Sequence, residues 1–427
     1  MSVEAFSLHP MWQDSTLSTH LPWYRAVASN QKPAKYLISS RIPIHTSLNA
    51  TEGNLWSELR LKTEAFLILW NNVKKNDVRL ETLPRAKPSL LDLTVELSRR
   101  ILSECVFCQW RCKVDRSGNG SDSATTKGKL GTCQLDNVSR VGSYFHHPGE
   151  EIIYRGSQGS GTIFFTSCNM RCGFCQNGDI SHDKLNGIEV TADQLALMAM
   201  QLRLEGVHNI NLVGGEPTIH LHTVLDSISR LRFGEVIKED LNHITQAKSD
   251  FPFHLRNTAN ASYCGEFNAP ILWNSNFFMS QEAMALLRPV VDIWLPDFKF
   301  GSDKCAIHLS RTPQYWDTCT RNLLEIYRWG EEFSIRHLIM PNHVECCTKP
   351  CLDWVRANVP DALINVMDQY RPECYANPRT TQYNPKLEDI SRRPTDKEIM
   401  ESFAYAASLG LNYESLSYEK NQRGLHI

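Results

Sequence analysis

The chain has 427 residues, with 45 basic against 47 acidic side chains and a formal net charge of −2 at pH 7. That balance excludes a protein that grips nucleic acid or an anionic membrane through a broad basic surface. The length admits two or three domains at ~100 to 200 residues each, and no stretch of sequence approaches the ~20 apolar residues of a membrane span. Met1 to Asn30 lacks a basic segment followed by an apolar core, so the expected location is cytoplasmic. Fourteen cysteines at metal-ligand spacings then favour metal centres in a reducing compartment over a disulfide framework.

Residues 1–88 hold Trp12, Trp23, Trp56 and Trp70 and one helical pattern through Leu55, Leu59, Phe66, Leu69 and Val73. No chemistry is legible there, and packing against the rest of the chain is the expectation. Residues 89–150 form a Cys-rich segment. Ser89 and Asp92 open a helix with the stripe Leu90, Leu93, Leu97 and Ile101, which delivers Cys105 at its end. Cys105-x2-Cys108-x3-Cys112 and then Cys133, after a polar insertion from Ser117 to Lys127, supply four thiols. They fit a structural zinc, an auxiliary iron-sulfur cluster or a set of reduced thiols, and spacing does not separate these.

From residue 151 to 411, apolar strands alternate with helices. The strands are expected at Gly161–Phe165, Asn209–Val213, Pro270–Phe278, Asp292–Phe300, Phe333–Met340 and Ala362–Tyr370. The spacing predicts helices from Thr191, through a capping box with Gln194, and over Ser280–Arg288 and Pro313–Trp329. Continuous apolar strands between helices predict an α/β fold with a parallel sheet, and six units make a partial (β/α)6 barrel. Residues 412–427 form a C-terminal tail.

Directly after the first of these strands, Cys168, Cys172 and Cys175 have the spacing C-x3-C-x2-C. Three thiolates on one loop hold three irons of a [4Fe–4S] cubane and leave the fourth open to a ligand. The competing reading of the triplet alone is a zinc knuckle or reduced thiols. The second strand runs into Gly214-Gly215-Glu216, where glycines admit a ligand close to the backbone and a carboxylate meets an ammonium. Alone, that tripeptide is equally a strand-ending turn.

Together the two motifs, with Phe174 before the last cysteine, resemble the radical S-adenosylmethionine (SAM) superfamily. Gly159 to Phe165, Cys175-Gln176-Asn177, Trp294 to Lys299, Arg336 to Pro341 and Asn365 to Pro372 are similar to its PflX-like group, related to the activating enzyme of pyruvate formate-lyase. The match runs from about Leu90 to Leu411. The resemblance implies a radical SAM barrel with a Cys-rich N-terminal extension, a [4Fe–4S] cluster on Cys168, Cys172 and Cys175, and reductive cleavage of SAM to methionine and a 5'-deoxyadenosyl radical. It places Gly214, Gly215 and Glu216 at the methionyl end of SAM and Phe174 near the adenine. Asn274, Asn276, Asp297, Lys299 and His337 match positions near SAM in the activating enzymes.

The resemblance further implies an oxidoreductase-type enzyme served by a low-potential donor of flavodoxin or ferredoxin type, with a protein substrate if it installs a glycyl radical. A contrasting function class is a metal-binding or electron-transfer iron-sulfur protein without SAM turnover. By alternation, Asn365, Met367 and Gln369 share one face and are candidate substrate contacts. His337 shares a face with Ile335 and Ile339, where a lone histidine is more often a satisfied core residue. His220 and His222 are expected on the surface of the next helix. Gly156-x-x-Gly159-x-Gly161 precedes its strand and lacks the context of a dinucleotide turn. Cys346, Cys347 and Cys351 receive no metal, because adjacent cysteines rarely serve one ion.

Overall fold

A computed structural model describes residues 10–118, 130–233 and 261–417. Most of the polar insertion expected at Ser117 to Lys127, and most of the tail, lie outside the described residues. Among the described residues ten strands are seen: β1 Ser139–His147, β2 Ser160–Phe165, β3 Ile188–Val190, β4 Ile210–Gly214, β5 Ser262–Tyr263, β6 Glu266–Phe267, β7 Ile271–Ser275, β8 Ile293–Pro296, β9 Ser334–Leu338 and β10 Leu363–Met367. Of these, β5 and β6 form a small separate hairpin.

The main sheet has the order β3-β1-β2-β4-β7-β8, and β2, β4, β7 and β8 run parallel. Beside β8, β9 and β10 form a parallel pair. Parallel bridges Trp294 to Phe333 and Asp297 to Arg336, with Phe298 N–H donating to Arg336 O at 2.8 Å, carry the sheet from β8 into β9. Six parallel strands therefore follow one another in chain order, with helices between them, as a partial (β/α)6 barrel requires. Nearly every residue of β7 and β8 is buried, because helices cover the outside and the barrel closes the inside.

The helix Ala192–Leu204 starts at the predicted capping box, with Gln194 N–H donating to Thr191 Oγ1 and Thr191 N–H to Gln194 Oε1. The helix Leu90–Ile101 has the same device in Ser89 and Asp92. The first two predicted strands agree with those observed to within a residue at each end, and the last four run longer, for local reasons at β7 and β8. Pro296 has no N–H to extend β8, and past Ser275 the backbone turns at Phe277 (φ +60°).

Four strands escaped the sequence reading, β1 and β3 of the main sheet and the β5-β6 hairpin. Strand β1 pairs antiparallel with β2 from Val141 opposite Phe165 to His147 opposite Ser160, and β3 pairs with β1. The sheet thus begins ahead of the boundary drawn between residues 150 and 151. Residues 15–104 pack into the same apolar core as the barrel: Trp23, Leu37, Leu55, Phe66 and Trp70 share one cluster with Trp273, Trp294 and Ile335. Polar clamps fix this contact. Asp292, at the start of β8, accepts from Trp23 Nε1 (3.0 Å) and Lys35 N–H (2.9 Å), and Glu332 accepts from the N–H groups of Trp23 and Tyr24. Lys35 and Glu331 form a fully buried ion pair. The N-terminal region therefore covers the N-terminal ends of the strands, opposite to the end where βα loops build chemistry. No helix among the described residues is long and apolar enough to cross a membrane.

Candidate active site

The C-terminal ends of the parallel strands open into a cavity of about 330 Å³. Its wall combines Cys168, Cys172, Phe174 and Cys175 after β2 with Gly214, Gly215 and Glu216 after β4. Asn274 and Asn276 come from β7, Asp297 and Lys299 from β8, and Met367 and Gln369 from β10. Residues far apart in sequence thus meet where their strands end.

The cluster loop leaves β2 through Ser167 (φ +63°), whose N–H donates to Ile180 O at 2.8 Å and whose hydroxyl donates to Cys133 O. Burial pushes all three thiols up, Cys172 to about 12. Burial thus disfavours a free thiolate at this site, and a metal binding there displaces the thiol proton. The three sulfurs do not all converge to within 4.8 Å of one another. That separation suits different corners of a multi-iron cluster better than one ion. A [4Fe–4S] group therefore fits this donor set.

The two glycines are required by close approach. A Cβ on Gly214, at φ +115°, would lie 2.2 Å from Phe165 N, and one on Gly215 would lie 1.6 Å from Ser167 O. Both let the end of β4 pass directly under the cluster loop. Glu216 is buried and already accepts four hydrogen bonds, from Thr218 N–H (3.1 Å) and Oγ1 (2.5 Å), Ser275 Oγ (2.7 Å) and Asn276 N–H (2.9 Å). Burial nonetheless outweighs these donors and raises its pKa. Three of these bonds end on Oε1 and one on Oε2, so Oε2 keeps a lone pair for an ammonium.

Asn276 reaches back to the cluster loop, its Nδ2 donating to Asn169 Oδ1 at 2.7 Å and lying 3.5 Å from Cys168 Sγ. Lys299 pairs with Asp297. Although burial opposes its charge, Asp297 beside it raises the lysine's pKa, so it stays cationic beside the cysteines. Phe174 packs edge-on to Phe300 and tilted to Tyr370, ring centroids 6.2 and 5.8 Å away.

His337 does not join the site. Its Nδ1 meets Phe298 O at 2.8 Å and its Nε2 meets Thr348 Oγ1 at 2.9 Å, and it is fully buried on the outer face of β9. Alternation along β9 turns Arg336 and Leu338 into the cavity instead. Arg336 is the residue the sequence reading missed. It forms ion pairs with Glu150 and Glu151, and its Nε donates to Glu151 Oε1 at 2.9 Å. Asn211 and Asn365 tie the same two carboxylates from β4 and β10. Asn365 therefore serves this network, and of its face only Met367 and Gln369 line the cavity. The adjacent carboxylates of Pro148-Gly149-Glu150-Glu151 are the sequence signal that could have found it.

His220 and His222 are also corrected: both are buried, not at the surface. His220 stacks on Phe165 (4.9 Å) and its Nε2 meets Thr166 O, while His222 stacks on Phe107 (6.0 Å) and meets Asn137 O. Burial lowers them to about 3 and about 4, so both are neutral core residues.

The upstream cysteines lie against the cluster loop. Trp110 Nε1 donates to Asn169 O at 2.7 Å, and Arg116 Nη1 lies 3.5 Å from Cys105 Sγ. No three of Cys105, Cys108, Cys112 and Cys133 converge within 4.8 Å. Such convergence occurs among the described residues at Cys305, His343, Cys346 and Cys347. Cys346 and Cys347 thus have two partners that sequence spacing did not reveal, while Cys351 stands outside the group.

The radical SAM superfamily model matches residues 162–347, the stretch from β2 through β9 and the turn after it. An uncharacterized protein of Methanocaldococcus jannaschii, MJ0674, is 34% identical over 395 residues, covering 91% of this chain and 97% of its own. The chain therefore carries a radical SAM superfamily domain, and that domain implies a [4Fe–4S] cluster and SAM as cofactors. Among solved structures, SuiB of Streptococcus suis bound to SAM aligns at a TM-score of 0.37 and 13% identity, covering 60% of this chain and 46% of that one. SuiB bound to its precursor peptide SuiA aligns at 0.36 and 12%, covering 61% and 45%. The chain spans under half the length of these solved structures.

Proposed function

We propose that this protein reductively cleaves SAM at the Cys168, Cys172 and Cys175 site and uses the cavity to present one hydrogen of a substrate for abstraction. The observation that carries this reading is the convergence of the three thiols, the Gly214-Gly215 turn, Glu216, Asn276 and Lys299 on one cavity. When bound, the cluster supplies the electron that splits SAM into methionine and a 5'-deoxyadenosyl radical. The chain's own residues do the rest. Gly214 and Gly215 admit the methionyl end to the backbone, and Glu216 sets a negative charge for its ammonium. Lys299, held by Asp297, sets a positive charge beside the cysteines and a carboxylate. Phe174 offers a ring face to the adenine. Arg336, locked by Glu150 and Glu151, with Met367 and Gln369, shapes the part of the cavity that a substrate reaches.

Within the superfamily, the resemblance to the PflX-like group favours a protein substrate and glycyl-radical installation, with electrons from a flavodoxin- or ferredoxin-type donor. The upstream cysteines are proposed to hold an auxiliary iron-sulfur cluster, because no three of their sulfurs come within 4.8 Å of one another as a single zinc ion would require. Replacing Cys105, Cys108, Cys112 and Cys133 by Ser should lower iron per chain while preserving the Cys168 cluster; unchanged iron would leave them as thiols or a zinc site.

The second function class, electron transfer without SAM turnover, is separated by titrating SAM into the dithionite-reduced protein under anaerobic conditions. A SAM-dependent change in the electron paramagnetic resonance spectrum of the cluster supports the reading. A spectrum indifferent to saturating SAM would leave the electron-transfer alternative standing.

A further inference from the structure

We propose that Cys305, His343, Cys346 and Cys347 form a zinc site, distinct from the SAM cavity and from the upstream cysteines. One ligand atom from each residue lies within 4.8 Å of every other. His343 presents Nδ1 to the sulfurs, at 3.2 Å from Cys346 Sγ and 3.6 Å from Cys347 Sγ. Three thiolates and one imidazole are a complete tetrahedral set for Zn2+, and their convergence on one point suits a single ion rather than a cubane.

The surroundings are those of a built metal site. The other nitrogen of His343, Nε2, lies 3.0 Å from Asp389 Oδ2, which fixes the tautomer that leaves Nδ1 free to ligate. His308 Nε2 meets the same carboxylate oxygen at 3.0 Å. Adjacent cysteines reach one point because Val344–Thr348 is wound as a π-helical turn. Its i→i+5 bonding, seen in Thr348 N–H to His343 O at 3.2 Å, gives more residues per turn, so neighbouring side chains diverge less than in an α-helix. Gly301 makes room for that turn, since a Cβ there would lie 2.4 Å from Cys346 O.

The position gives the site a task. Cys305 lies in the first turn of the helix Asp303–Ser310. The far end of that helix accepts hydrogen bonds from the cluster loop, Gly173 N–H to Leu309 O at 2.8 Å and Arg171 N–H to Ser310 O at 3.1 Å. Zinc would therefore tie the turn after β9 to the helix that backs Cys172.

The test uses the full chain, purified without added metal, and reads zinc and thiol reactivity independently of SAM chemistry. Wild type should carry one zinc that His343→Asn and Cys346→Ser each lose, with the iron of the Cys168 loop retained. Anaerobic iodoacetamide labelling with peptide mapping covers the case of a misfolded variant. Cys346 and Cys264 are both exposed. Cys264 should be alkylated at once, and Cys346 only after zinc is stripped with phenanthroline. Prompt alkylation of Cys346 in the wild type, protection relieved by reductant instead of chelator, or zinc content unchanged in folded variants would each overturn the proposal.

Discussion

Glu216 and Lys299 bring opposite charges to one cavity, and each is tied in place by partners of its own. Loss of one charge-assisted hydrogen bond costs about 1.5–3 kcal/mol, or roughly ten- to a hundredfold in affinity. Glu216→Gln and Lys299→Met should each weaken SAM binding by about that factor, measured by anaerobic titration with iron content as the control. Wild-type affinity in both would show that the methionyl group binds elsewhere. Burial raises the pKa of Glu216 above the usual glutamate range, and only the ionised form attracts an ammonium. SAM affinity should therefore fall on acidification sooner than with an exposed glutamate, and Glu216→Gln should lose that part of the pH dependence. The linkage to folding has the opposite sign: the contribution of Glu216 to stability without SAM is present at low pH and lost as pH rises through its raised pKa. At this scale the sequence was informative wherever a motif fixes the backbone, as with Cys168 to Cys175 and Gly214-Gly215. It was ambiguous for side-chain direction. Alternation sets Arg336 and His337 on opposite faces, but which face of β9 points inward depends on its pairing with β8 and β10.

The six parallel strands were legible because burial on both faces writes them as continuous apolar runs between helices. Strand β1 was not, since it lies near the sheet's antiparallel edge. Gly142 sits within it, and the register shifts between Val141 and Ser143, so its period is broken. The N-terminal elements carry a different lesson, because their partners are far away in sequence. Lys35 is paired with Glu331, and both side chains are wholly buried. Removing one member of such a pair strands the other charge and costs about 3–5 kcal/mol. Lys35→Met should lose about that much in denaturant unfolding. Adding Glu331→Leu should recover most of it. A Lys35→Met protein as stable as wild type would mean that the N-terminal region is not held on the barrel by this contact.

At the scale of the whole molecule, chemistry and support occupy opposite ends of the barrel. The strand C-termini hold the cavity, and the strand N-termini are covered by residues 15–104 through Asp292, Glu331 and Glu332. No local pattern encodes that long-range docking, which is why residues 1–88 gave no role when read alone. Burial raises Asp292 to about 6 and Glu332 to about 8. A raised carboxyl stabilises the fold fully below its unfolded pKa of about 4, and that contribution is lost as pH rises through the folded value. Above about pH 7, where the buried neutral histidines His220, His222 and His337 no longer raise stability with pH, thermal stability should therefore decline up to about pH 8.5. Stability that holds constant or rises over that range would contradict the burial of these carboxyls against the N-terminal helices.

The central claim, that the Cys168, Cys172 and Cys175 site turns over SAM, is tested most directly by one product. Anaerobically reconstituted protein, reduced with dithionite and supplied with SAM, should form 5'-deoxyadenosine. The Cys168→Ala/Cys172→Ala/Cys175→Ala protein should form none. Equal 5'-deoxyadenosine from the triple variant, or none from a wild-type protein carrying its full iron, would contradict the account.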